Sequence, residues 1–178
     1  MLFRSEKKDK EIYKGLSDTD ALTGLFNRRA FQAAVDETLL KRIAGVFIFI
    51  DVDNFKDYND KYGHANGDLC LKHFAAAMKK CFPKDSILGR YGGDEFVVYI
   101  KNATSDDAHR YMGEFQREIS HLMMSGGEHV TVSASAGGVA FIGGGEDFVS
   151  LCRSADNMLY DVKRNGKGTF KIKGAKNM

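Results

Sequence analysis

The sequence predicts an α+β fold, with a mostly antiparallel sheet covered by helices and a β-hairpin in its middle. Three observations carry that prediction. The run Ala44–Ile50 is apolar, short, and rich in β-branched and aromatic residues, which marks a central strand buried on both faces. The runs Ser86–Tyr91 and Glu95–Ile100 flank Gly92-Gly93-Asp94, the pattern of paired strands about a glycine turn. Around these runs, apolar residues recur at helical spacing.

The elements follow in order. Residues 1–16 are polar, with Ile12 and Leu16 four apart. They read either as a connector from an upstream sensor domain or as a remnant. From Asn27 a helix is expected, with Phe31, Ala34, Val35, Thr38 and Leu39 on one face. The central strand ends abruptly at Asp51-Val52-Asp53. A short helix is expected over Phe55–Tyr62. A longer one follows from Gly67, burying Cys70, Phe74, Ala77, Met78 and Cys81 and closed by Pro83. After the hairpin come a helix over Ser105–Met124 and a strand over Val130–Ile142 interrupted by Gly137-Gly138. A helix over Asp147–Lys163 and an edge strand over Thr169–Ile172 complete the chain. The domain is expected over residues 17–173, with 174–178 as a tail.

Composition narrows the class. The chain has 178 residues, 43% of them hydrophobic and 28% charged, with a formal net charge of +2. That suits one globular domain with a sizeable core. Six Lys or Arg residues and one acid follow from Asp161 to the end. That stretch is either a solvated tail or an anion-binding end. It lacks the interleaved aromatics of a nucleic-acid stacking platform, so no nucleic-acid partner is expected. Cys70, Cys81 and Cys152 form no CxxC pair and no zinc spacing. Reduced thiols point to the cytoplasm. No apolar run approaches the roughly 18 residues of a membrane span.

The chemistry gathers at two strand ends. Asp51 and Asp53 close the central strand, and Asp94 and Glu95 sit at the hairpin turn. If the hairpin pairs beside the strand, the carboxylates meet, and clustered carboxylates repel unless a cation fills the space between them. Hard oxygen ligands suit Mg2+. Gly92 and Gly93 are expected to supply positive φ and close backbone approach for a phosphate. Lys56, Lys163 and Lys167 are candidate point-charge partners for phosphate groups. Taken singly, each acid and each lysine reads as a solvated surface residue; the four acids at two strand ends point to the site only together.

The motifs together resemble the GGDEF domain family. Gly92-Gly93-Asp94-Glu95-Phe96 is the family signature, preceded by Arg90-Tyr91. Asp51-Val52-Asp53-Asn54-Phe55-Lys56 is similar to its strand-exit motif. Asn59-Asp60, Gly63-His64 and Gly67-Asp68 follow at the family's places. Upstream stand Asp20-Ala21-Leu22-Thr23-Gly24-Leu25 and Asn27-Arg28-Arg29. Downstream stand Ser135-Ala136-Gly137, Ala155-Asp156, Leu159-Tyr160 and Lys163. The resemblance spans roughly residues 17–172.

It implies a nucleotidyl-cyclase-like fold with a ferredoxin-like core, and diguanylate cyclase activity joining two GTP into cyclic di-GMP with release of two pyrophosphates. It implies two Mg2+ ions per site, with Mn2+ as an alternative, held by Asp51, Asp94, Glu95 and the carbonyl of Val52. Asn59 and Asp68 would contact guanine. Lys163 and Lys167 would hold the β- and γ-phosphates, helped by Lys56, the Phe55 loop and the close approach that Gly92 and Gly93 allow. The reaction itself implies an antiparallel homodimer, since one site holds one GTP. A non-catalytic GTP-sensing domain is the alternative, and a cyclase making a mixed cyclic dinucleotide is a third reading that retention of Asp68 disfavours. Two departures stand out. The family's Arg-x-x-Asp product-inhibition pair is replaced by Pro83 and Ser86, so little product inhibition is expected there. Its Gly-Arg-Asn reads Gly166-Lys167-Gly168, which loses the bidentate guanidinium.

Overall fold

A computed structural model describes residues 17–123 and 129–175. The connector at 1–16 and its helical hint lie outside the described residues. Among the described residues the order is β1 (Phe26–Asn27), α1 (Arg28–Leu40), β2 (Gly45–Val52), α2 (Phe55–Tyr62), α3 (His64–Cys81), β3 (Ile87–Arg90), β4 (Glu95–Lys101), α4 (Ser105–Ile119), β5 (Leu122–Met123), β6 (His129–Val130), β7 (Ala134–Phe141), α5 (Phe148–Arg164) and β8 (Phe170–Lys173).

Six strands form one mixed sheet in the order β1-β3-β4-β2-β7-β8. The inner pairings are antiparallel, and the two edge pairings, β1 with β3 and β7 with β8, are parallel. The hairpin therefore lies directly beside the central strand, and its register sets Asp51 opposite Glu95.

Period-two alternation explains the continuous apolar run of β2. Ile48, Ile50 and Val52 join Phe96, Val98 and Ile100 in a core beneath α3 and α4, with Phe74, Met78 and Phe115. Phe47, Phe49, Val97 and Tyr99 face the other way, onto Phe31 of α1 and Phe148, Leu151 and Leu159 of α5. Both faces of β2 are covered, so no polar position is needed until Asp51.

Several boundaries depart from expectation. The longer helix α3 starts at His64, where Gly63 ends α2 at a φ of 83°. That left-handed residue needs glycine, and it lets one helix follow another without a loop. Helix α4 stops at Ile119 instead of Met124. The Ser120 hydroxyl donates to the carbonyl of Arg117 at 2.7 Å, a local bond that competes with helix continuation. Leu122–Met123 instead pairs with His129–Val130 in a separate ribbon. The sheet strand thus begins at Ala134 and not at Val130.

Gly137 and Gly138 do not interrupt β7, which runs through both. A Cβ at Gly137 would lie 2.1 Å from the backbone nitrogen of Leu159 and 2.3 Å from the carbonyl of Ala155. Gly137 lets α5 rest on the strand at backbone distance, and Gly138 makes room on the other face for Ile172 and Ile48. The Asp147 side chain caps α5 through the amide of Ser150 at 2.7 Å, which fixes where the helix starts.

Candidate active site

Asp51 and Glu95 are cross-strand partners on β2 and β4. Asp51 shares the face of Phe47 and Phe49, and Glu95 that of Val97 and Tyr99, so both carboxylates project toward α5. The strands are stitched at this end by the Val52 amide, which donates to the carbonyl of Asp94 at 3.1 Å. From the last turn of α5, Lys163 reaches Asp51 at 2.8 Å.

One lysine does not balance these acids. Burial pushes the Asp51 carboxyl above its ordinary range, and the charges of Asp94 and Asp53 add to that; Lys163 opposes it without cancelling it. Burial also raises Glu95, followed by repulsion from Asp51 and Asp94. The strand end thus holds an excess of negative charge in a half-covered place.

The turn between β3 and β4 is shaped by close approach and not by unusual φ, contrary to the sequence expectation. Neither Gly92 nor Gly93 adopts a left-handed φ. A Cβ on Gly92 would lie 2.4 Å from Oε2 of Glu95, so a side chain there would displace the carboxylate from its place over the turn. A Cβ on Gly93 would meet nothing, leaving that backbone open to a bulky group. Arg90 holds the turn from behind, donating through Nη2 and Nε to the carbonyl of Gly93 at 2.7 and 3.2 Å. Its Nη1 also donates to both carboxylate oxygens of Asp20 at 3.1 and 3.2 Å. Burial works against the charge of Asp20, but hydrogen bonds from Thr23 and Arg90 outweigh it and hold the carboxyl below its ordinary range. Sequence reasoning gave neither Asp20 nor Arg90 this positioning role, because the pair is far apart in sequence.

Asp53 leaves the acidic group. It is 9% exposed and accepts from the hydroxyls of Ser133 and Ser135, each at 2.7 Å, and from the amide of Gly168 at 2.9 Å. It is an anchor that ties the strand exit to the turn after α5. That turn carries Lys167, whose Nζ donates to Oδ1 of Asn54 at 2.8 Å. Lys163 and Lys167 therefore bracket the strand exit from two sides. Of the basic tail, Lys171 is paired with Asp161 at 3.0 Å.

Asn54 starts α2 with a φ of 54° and makes no side-chain cap bond. The first amides of α2, including those of Phe55 and Lys56, are thus left without a capping side chain, the ordinary condition of an anion site at a helix N-terminus. Lys56 is exposed beside them. Further along α2, the amide oxygen of Asn59 is enclosed and has no hydrogen-bond partner among the described residues. It sits where a Cβ on Gly67 would be, 1.8 Å away. Asp68, the next residue, is exposed. Asn59 and Asp68 thus occupy neighbouring ground at the α2–α3 junction.

The donor set fits a hard divalent cation. Asp51, Glu95 and the main chain at Val52 offer oxygen only, and the raised carboxyls mark charge that a cation would relieve. Among the described residues, no three His, Cys, Asp or Glu side chains converge tightly enough to hold an ion alone.

Comparison with known proteins identifies the family. The family model described as "Diguanylate cyclase, GGDEF domain" matches residues 17–169. The chain is 33% identical over 168 residues to the cyclic di-GMP phosphodiesterase PdeR of Escherichia coli, covering 93% of this chain and 25% of that protein. It is 31% identical over 166 residues to the diguanylate cyclase DgcM of the same organism, covering 91% and 40%. The chain thus spans less than half the length of these curated relatives. Among solved structures, the GGDEF domain of DgcB from Caulobacter crescentus, determined with cyclic di-GMP, superposes with a TM-score of 0.82 at 27% identity, covering 88% of this chain and 96% of that one. With its signature on the β3–β4 turn and its six-stranded sheet superposing on such domains, this chain belongs to the GGDEF domain family.

Proposed function

We propose that the chain is a diguanylate cyclase domain that condenses two GTP into cyclic di-GMP with release of two pyrophosphates. The observation that carries this reading is the direct cross-strand pairing of Asp51 with Glu95 beneath Lys163. The attacking 3′-hydroxyl must lose a proton and the leaving pyrophosphate must shed charge. In this reading Asp51, Glu95, Asp94 and the carbonyl of Val52 hold Mg2+, or Mn2+ in its place. Divalent cations so held lower the pKa of a hydroxyl and neutralise a leaving phosphate.

The chain's own residues supply position and charge. Lys163 and Lys167 hold the β- and γ-phosphates together with Lys56 and the uncapped amides of the Phe55 turn. Gly92 and Gly93 admit the triphosphate. Asn59 and Asp68 take the guanine edge, and the unpartnered amide oxygen of Asn59 is an acceptor suited to its N–H groups. An acceptor enclosed in this way discriminates against adenine, which leaves it unpaired. Two domains meet as an antiparallel homodimer, so that each hydroxyl reaches the other GTP. No helix is long and apolar enough to cross a membrane among the described residues, and the site is read as cytoplasmic because GTP is. Pro83 and Ser86 carry no charge, so feedback through that pair is expected to be weak.

The Asp51–Lys163 ion pair favours one other reading, a domain that binds GTP without turning it over. In the cyclase reading Lys163, 38% exposed at its side chain, exchanges Asp51 for phosphate when nucleotide and cation enter. The deciding experiment incubates the chain with GTP and Mg2+, measures pyrophosphate, and identifies the nucleotide product by mass. Bound GTP with no pyrophosphate establishes the second reading.

A further inference from the structure

The outer stripe of α5 carries side chains to which the proposed reaction gives no role. Val149, Arg153, Asp156 and Tyr160 follow at spacings of four, three and four, so they share one face of the helix. All four are exposed, Val149 at 61% and Tyr160 at 59%. Neither Arg153 nor Asp156 has an ion-pair partner among the described residues. Arg153 and Asp156 also line a groove that reaches Glu95, so the stripe is continuous with the candidate site.

Read along the helix, the stripe runs apolar, positive, negative, apolar. Reversed, it is its own complement. Two copies of α5 laid antiparallel about a two-fold axis between Ser154 and Ala155 set Val149 opposite Tyr160 of the partner subunit and Arg153 opposite Asp156 of the partner subunit, and the reverse. Every contact is made twice, as an isologous interface requires. The stripe is roughly 16 Å long at 1.5 Å per residue, which is small for an interface and suits a weak, concentration-dependent dimer.

We propose that this stripe is the surface on which a second copy of the chain docks, antiparallel through α5. The proposal rests on the cyclase reading only in that the reaction needs two domains; the surface itself is argued from its pattern of charge and exposure.

The test uses Arg153→Asp and Asp156→Arg, and because the charge of Asp156 acts on Glu95, self-association and not turnover decides it. Sedimentation equilibrium measures self-association, and pyrophosphate release from GTP and Mg2+ is followed at low protein concentration. Each variant alone faces like charge twice across the axis, and is expected to associate about tenfold more weakly than the unmodified chain. Mixed in equal amounts, the two variants face opposite charge twice, and association returns. A fold defect would not be rescued by mixing. Should a reversal disturb the fold by circular dichroism, Arg153→Ala serves in its place and is expected to weaken association by a smaller factor. Wild-type association in any of these variants, no recovery on mixing, or an unmodified chain that stays monomeric throughout overturns the proposal. An unmodified chain that releases no pyrophosphate overturns the cyclase reading instead, and sedimentation still decides the surface.

Discussion

Asp51 and Asp53 sit two residues apart at the end of one strand, and they live in opposite electrostatic worlds. Asp53 is enclosed and receives three hydrogen bonds from Ser133, Ser135 and Gly168. Asp51 has one ion pair, with Lys163, and two acidic neighbours that oppose its charge. A carboxylate satisfied by fixed donors is a piece of scaffold. A carboxylate left raised and crowded is poised to take something from outside. In the proposed reading, the difference separates the residue that holds the site from the residue that binds in it.

Mutations break or sharpen that contrast, beginning with the largest effect. Asp51→Ala should lower GTP turnover by about 10³-fold, or roughly 4 kcal/mol of barrier, while the thermal midpoint stays within about 2 °C. Pyrophosphate release near wild type would put Asp51 outside the chemistry. Asp53→Ala should do the converse to stability, costing about 1–3 kcal/mol in urea unfolding, mainly because the buried Ser135 hydroxyl loses its acceptor. An unfolding midpoint unchanged in Asp53→Ala would mean that the anchor carries no weight.

Two smaller effects refine the Asp51 side. Lys163→Ala should raise the half-saturating GTP concentration by about tenfold, or roughly 1.4 kcal/mol, and lower the maximal rate less. A loss confined to the maximal rate would assign Lys163 to the reacting atoms. Glu95→Gln removes one of the crowded charges and should stabilise the chain by about 0.5 kcal/mol near pH 7, since solvent screens much of the repulsion. The sign follows from linkage. A carboxyl raised in the folded chain holds its proton more tightly there, so its contribution is full below the ordinary carboxylate range and is lost as pH rises through the raised value. The unmodified chain should therefore lose this increment as pH rises above the ordinary carboxylate range, and Glu95→Gln should lose less of it, by thermal unfolding across pH.

Much of this was legible in the sequence, for definite reasons. Strand β2 announced itself because both its faces are buried, so seven apolar residues in a row had no other use. The hairpin turn followed from the glycine pair, while the meeting of Asp51 with Glu95 hung on the hairpin lying beside β2, which the register supplies. What stayed hidden depended on contacts between distant residues. Nothing in the spacing of Asp53 told it from Asp51, and the family resemblance alone set Asp51 apart; the contacts with Ser133, Ser135 and Gly168, brought in by β7 and by the turn after α5, give the physical difference. The pairing of Arg90 with Asp20 was hidden in the same way. Strand β1 is only Phe26–Asn27, too short to leave a periodic trace, and it exists because β3 offers it a parallel edge. Gly137-Gly138 was misread as a break because a strand with a helix resting on its backbone looks, in one dimension, like a weak strand.

That last contact reaches further than packing. With no side chain between β7 and α5 at Gly137, the helix has no cushion and its height above the sheet is fixed by touching backbones. Lys163 sits one turn beyond this point of contact, so the gap between its ammonium and Asp51 behaves like the far end of a short lever. A single methyl group inserted at the fulcrum would lift the lever. The charge balance at the strand end is thus governed in part by a residue that carries no charge and never meets the carboxylates.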